Sequence, residues 1–168
     1  MYRSQHGRAD RLIQEKVHDP YMERQKLPEN TTCKHCGLVF SNGRWTWPKE
    51  EIIALDLLNA VPRTLCPACQ RIKDDFPAGV IELRGHFWKE HKEEISNLIR
   101  NEEETEKREH PLERIMKQEE QGDSLLIATT GIHIARRIGQ ALNSAYQGAL
   151  DMRYGDAEKS IRVIWTRD

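Results

Sequence analysis

The stretch CPACQRIK, Cys66 to Lys73, decides how the chain is read. A Cys-x-x-Cys turn with proline after its first cysteine is what many dithiol oxidoreductases carry. It is equally one half of a four-thiolate metal site. The other half stands upstream in CKHCG, Cys33 to Gly37. These four cysteines are the only ones in the sequence, and 29 residues lie between Cys36 and Cys66. A redox dithiol uses one pair and leaves the second without a role, whereas a tetrahedral thiolate site uses both. Gly37 suits the left-handed bend of a zinc knuckle. The expected cofactor is therefore one structural Zn²⁺ held by Cys33, Cys36, Cys66 and Cys69. Four thiolates close the coordination shell, so no position is kept open for a catalytic water. Structural zinc in small peptides is worth ~10–16 kcal/mol, more than a short polar segment gains from its own apolar burial. His35 lies inside the first knuckle and is expected to point outward.

Working outward, Leu38 to Phe40 and Arg44 to Trp47 flank Asn42-Gly43, the strongest short hairpin signal. PKEEIIALDLLNA, from Pro48, reads as a helix with Ile52, Ile53, Leu55 and Leu58 on one face. VIELRG, Val80 to Gly85, reads as a strand, and His86 to Asn101 as a helix with Phe87, Ile95, Leu98 and Ile99 apolar. EEETEKRE is a charged helix face or link, and Pro111 is expected to open a short helix carrying Leu112, Ile115 and Met116. SLLIATT is a strand, GIHIARRIGQALNSAYQG a helix stopped by Gly148, and ALDMRYG and SIRVIWTR alternate as strands. The expected fold class is α+β. A polar N-terminal arm (1–30) precedes a zinc ribbon with a β-hairpin (31–85), a helical linker (86–122) and a small βαββ module (123–168).

Composition narrows the function classes. The chain has 168 residues, with 32% charged, 38% hydrophobic, a mean hydropathy of -0.76 and a net charge of -1. Cores this small often need a staple such as a metal. No apolar run approaches the roughly 18 residues of a membrane helix. No secretory signal opens the sequence, so a cytoplasmic location is expected, where paired cysteines are metal ligands or catalytic more often than disulfides. No membrane partner and no small-molecule substrate are expected. The near-neutral balance argues against a dedicated nucleic-acid coat protein but leaves room for local basic patches. Residues 101–124 hold nine acids against four lysines and arginines. No Walker A loop, dinucleotide fingerprint, Gly-x-Ser-x-Gly elbow or His-Glu-x-x-His motif is present, and the histidines are scattered. No active site is assigned.

A closed ribbon binds protein, RNA or DNA. Lys34, Arg44, Arg63, Arg71 and Lys73 can neutralise phosphates, and Trp45 and Trp47 on the hairpin can stack on exposed bases. Equally, one tryptophan can fill the ribbon's small core while the charges are ordinary surface. Arg136 and Arg137 lie opposite the apolar face of the C-terminal helix, and Arg153 and Arg162 alternate with core residues on the outer face of the sheet. That arrangement fits rRNA contact and also fits simple solubility. A protein–protein adaptor remains the second class and a thiol oxidoreductase the third.

The knuckles CKHCG and CPACQRI, the link HPLERIMKQEE and the segment LLIATTGIHIARRIGQAL together resemble a family of small bacterial zinc-ribbon proteins, over most of residues 18–168. LLIATTGIHIARRIGQAL is also similar to the middle of the archaeal and eukaryotic adaptor for nuclear export of the large ribosomal subunit, a family linked to nonsense-mediated decay. That family carries N-terminal Cys-x-x-Cys pairs, binds the large subunit and occupies tRNA sites. This chain has fewer pairs, is far shorter and has no counterpart of the export signals. The resemblance implies binding to the large ribosomal subunit and its rRNA. The role would be that of a hibernation factor on idle ribosomes or an assembly factor, without nuclear export.

Overall fold

The computed structural model describes residues 20, 21, 26–156 and 159–168. Most of the polar arm expected over residues 1–30 therefore lies outside the described residues. The chain is a mixed α/β protein, with two sheets and five helices among the described residues.

The first unit is the small sheet. Strands β1 (Thr31–Cys33), β2 (Val39–Ser41), β3 (Arg44–Thr46) and β4 (Arg63–Thr64) lie in the order β3-β2-β1-β4. The expected hairpin is there: Asn42 and Gly43 take φ of 50° and 80°, and Ser41 pairs with Arg44. Helix α1 (Glu50–Leu57) connects β3 to β4, and β4 runs parallel to β1. Helix α2 (Pro67–Asp74) follows with proline in its first turn, where the missing N–H breaks no helical hydrogen bond.

The second unit is a five-stranded sheet in the order β6-β7-β5-β9-β8. Its strands are β5 (Gly79–Arg84), β6 (Ile115–Gln121), β7 (Ser124–Thr129), β8 (Ala149–Tyr154) and β9 (Ile161–Thr166). Helices α3 (Phe87–Glu90) and α4 (Lys92–Glu109) link β5 to β6, and α5 (Ile132–Tyr146) links β7 to β8. The period-2 alternation of the strands sends Ile81, Leu83, Ile127, Val163 and Trp165 to one face. There they meet Ile134, Ile138 and Leu142 of α5 and Ile95 and Ile99 of α4. The two buried indoles keep hydrogen bonds, Trp88 Nε1 donating to the Asp123 carbonyl (2.9 Å) and Trp165 Nε1 to that of Gln147 (2.8 Å). Among the described residues no helix is long and apolar enough to cross a membrane.

Two boundaries differ from the sequence expectation. The strand at 79–84 does not belong to the four-stranded sheet, where the expected ribbon placed it. It is the central strand of the second sheet, antiparallel to β7 and parallel to β9, so the βαββ module is completed by β5 and β6. The linker expected over 86–122 is helical only to Glu109, and residues 115–121 form β6 where a helix was expected to follow Pro111. Leu112, Ile115 and Met116 have helical spacing, but tertiary pairing overrides it. Gly122, at φ 59°, opens a two-residue turn with Asp123 that folds β6 back on β7.

Candidate metal centre

The four cysteine sulfurs come together from two chain turns, all within 4.8 Å of one another. The parallel pairing of β1 with β4 sets Cys33 opposite Thr64 and so brings the two knuckles side by side. In the first, the Gly37 N–H donates to the Cys33 carbonyl (2.9 Å) with φ of 77°, the bend expected of that glycine. In the second, Cys66 is the residue before α2, and its sulfur accepts from the Cys69 N–H at 3.4 Å. The Cys66 N–H reaches across to the Cys33 sulfur at 3.3 Å, and the Cys36 and Cys66 sulfurs stand 3.6 Å apart. A tetrahedral zinc with Zn–S bonds of about 2.3 Å places its sulfurs about 3.8 Å apart. The Cys36–Cys66 separation matches that spacing and the whole cluster lies within 4.8 Å, so the four cysteines can hold one metal ion, consistent with structural zinc.

Crowding moves the proton affinities of three of the sulfurs in different directions. Hydrogen bonds from Cys36 and Cys66 pull the Cys33 thiol far down. Sharing hydrogen bonds with Cys33 and Cys36 pushes Cys66 far up, and burial adds to it. Burial, then the charge on Cys36, pushes Cys69 up to about 11. Thiols packed this closely cannot all ionise together unless a cation lies between them.

Behind the sulfurs lies the loop His110–Arg114, which the sequence presented as part of a helical link. Arg114 is 7% exposed. Its Nη2 donates to the Cys36 sulfur at 3.2 Å and its Nη1 to that of Cys69 at 3.6 Å. Leu112 packs on the small core that holds Leu38, Trp45 and the cysteines. Glu113 turns the other way and accepts from the Ile134 N–H at the start of α5 (3.0 Å). Burial pushes its carboxyl up, against the pull of that N–H. His35 is exposed as expected, yet its Nδ1 lies 3.6 Å from the Cys69 sulfur rather than turned away from the centre.

The candidate RNA contacts divide sharply. Trp45 is only 7% exposed and meets Phe40 edge-on (5.7 Å), so it fills the core around the cysteines and is not a stacking platform. Arg71 is 5% exposed, donates to the Phe76 carbonyl and lies over the Tyr21 ring, so it is a packing residue and not a surface contact. Arg63 pairs with Asp56, Arg137 with Glu102 and Glu106, Arg153 with Asp151 and Arg162 with Glu82. Arg153 and Arg162 do share the outer face of the sheet as cross-strand partners. Among the described residues, Lys34, Arg44, Lys73 and Arg136 pair with no carboxylate. Arg44 and Arg136 line one cleft of about 1100 Å³, between the β2–β3 hairpin on one side and α4 and α5 on the other.

Comparison of the chain with protein-family models, with curated proteins and with solved structures returned no match.

Proposed function

We propose that the chain is a non-enzymatic, cytoplasmic RNA-binding factor of the large ribosomal subunit, shaped by one structural Zn²⁺. It would act on idle ribosomes by filling a tRNA site, or during subunit assembly. The observation that carries this is the inter-unit cleft. Two of the candidate cations left without an acid partner, Arg44 from the hairpin and Arg136 from α5, line the same opening, which Lys26 and Arg137 share with Glu106, Glu109 and Glu113. Phosphate oxygens are the complement of such guanidinium groups. The ribosome itself comes from the resemblance of the LLIATTGIHIARRIGQAL segment. Cosedimentation with purified large subunits in moderate salt tests it. The wild-type chain is expected in the pellet. The Arg44→Ala variant is expected to bind more weakly, with the salt slope reduced by about one. A wild-type chain that stays wholly in the supernatant sinks the proposal.

One observation favours a second reading, a protein–protein adaptor. Helix α1 buries none of its residues, and Leu57 and Leu58 are 77% and 76% exposed. A pull-down dominated by one protein and insensitive to RNase would favour it. A thiol oxidoreductase is a third reading, excluded by one bound zinc and four unreactive thiols after gentle purification.

A further inference from the structure

Arg114 is a buried guanidinium, and among the described residues no carboxylate pairs with it. A charge in that position needs an anion beside it. What faces it is sulfur: Cys36 at 3.2 Å, Cys69 at 3.6 Å and Cys66 at 4.0 Å. The side chain is not free to leave. Its Nε donates to the Pro111 carbonyl at 2.7 Å. Its backbone N–H donates to Thr130 Oγ1 at 2.8 Å, and that hydroxyl in turn donates to the Leu112 carbonyl at 2.6 Å. The guanidinium is thus aimed at the cluster by a loop fastened to the second sheet.

The charge count gives this aim a purpose. Four thiolates around a divalent cation leave two negative charges uncompensated in a poorly hydrated pocket. A fixed guanidinium offsets one of them. Its N–H groups also draw electron density from the sulfurs, which lowers their reactivity toward electrophiles. Groups beyond the ligands that orient or neutralise them commonly contribute 10–100-fold in metal affinity, on the order of what is asked here.

We propose that Arg114 is the charge-compensating and positioning residue of a closed, unreactive metal–thiolate centre. Because it belongs to the second unit, it also ties the metal affinity of the ribbon to the seating of that unit. This stands apart from any RNA binding. The test uses the full zinc-loaded chain. Metal affinity is measured by competition with a chromophoric chelator, and thiolate reactivity by the rate of iodoacetamide alkylation. Arg114→Met is expected to bind zinc about 10–100-fold more weakly and to be alkylated faster, with Arg114→Lys recovering part of both. Lys117→Met removes a different ion pair between the units, Lys117 with Asp75 at 2.9 Å, and should change neither readout. Arg114→Met matching the wild type in both measurements overturns the proposal. Should that variant not fold, the wild-type chain still decides by NMR. The Arg114 guanidinium protons must shift when paramagnetic cobalt replaces zinc, and unshifted signals overturn the proposal.

Discussion

Glu82 sits in mid-strand on the outer face of the second sheet, with three partners. Arg84 donates to it through Nε (2.8 Å) and Nη2 (2.9 Å), Arg162 through Nη2 (2.9 Å), and Ser124 through its hydroxyl (3.2 Å). The Arg84 hydrogen bonds, assisted by Arg162, lower its carboxyl to about 2. A folded value below the ordinary one gives stability that is present above the unfolded value and lost as pH falls toward 2. Both arginines are about half exposed, so solvent screens the cluster, and about 1 kcal/mol is the expected contribution. Thermal melts of wild type and Glu82→Gln should therefore differ at neutral pH and converge near pH 2. A gap independent of pH would mean the carboxylate charge contributes nothing. At this scale the four clustered cysteines were legible because a Cys-x-x-Cys pair announces itself locally. Arg114 was not. Its partner Cys36 is 78 positions away, and nothing in HPLERIM separates a guanidinium aimed at sulfur from one aimed at water. Trp45 misled for the related reason that a tryptophan beside arginines looks the same in sequence whether it packs or stacks.

At the scale of elements, local signals located most strands and helices and misassigned where partners decide. The Asn42-Gly43 hairpin, the strand at 79–84 and the α5 helix each rest on short-range chemistry. Strand β6 does not. MKQEEQ is charged helix-forming sequence that becomes a strand because a hairpin turn presents it to the edge of β7. Its exposed Lys117, Glu119 and Glu120 leave a charged rim that discourages further pairing. Helix α1 departs in the opposite sense: Ile52 is half-buried, while Ile53, Leu55 and Leu58 of the expected apolar face stay exposed. Replacing Leu57 with Ser should leave stability within about 0.5 kcal/mol in denaturant titrations, as for an ordinary surface position. A loss of several kcal/mol would mean that the side chain packs against the rest of the chain.

For the molecule as a whole, the two cores are unequal. The second sheet buries one large cluster of aliphatic and aromatic side chains from β5, β7, β9, α3, α4 and α5, whereas the core of the first unit is Leu38, Trp45 and Ala68 around the cysteines. Stability should divide accordingly. Removing the metal with a strong chelator is expected to release amide protection in β1 to β4 while β5, β7 and β9 stay protected, as read by hydrogen exchange. Uniform loss across both sheets would show that the second unit cannot stand without the first. The contacts at risk between them include the Arg114 hydrogen bonds to Cys36 and Cys69, the Leu112 packing, the Lys117–Asp75 pair and the hydrogen bond from Trp47 Nε1 to the Lys107 carbonyl at 3.1 Å.

The parallel pairing of β5 with β9 sets Gly79 against Ile161, at opposite ends of the second unit's sequence. A nascent chain therefore emerges with its thiolate cluster complete while one flank of β5 is still bare. The β6–β7 hairpin can cover the other flank, but the bare one must wait for residues 161–166 to be synthesised. A message cut short before that point yields a product that retains its cysteines and an open strand edge.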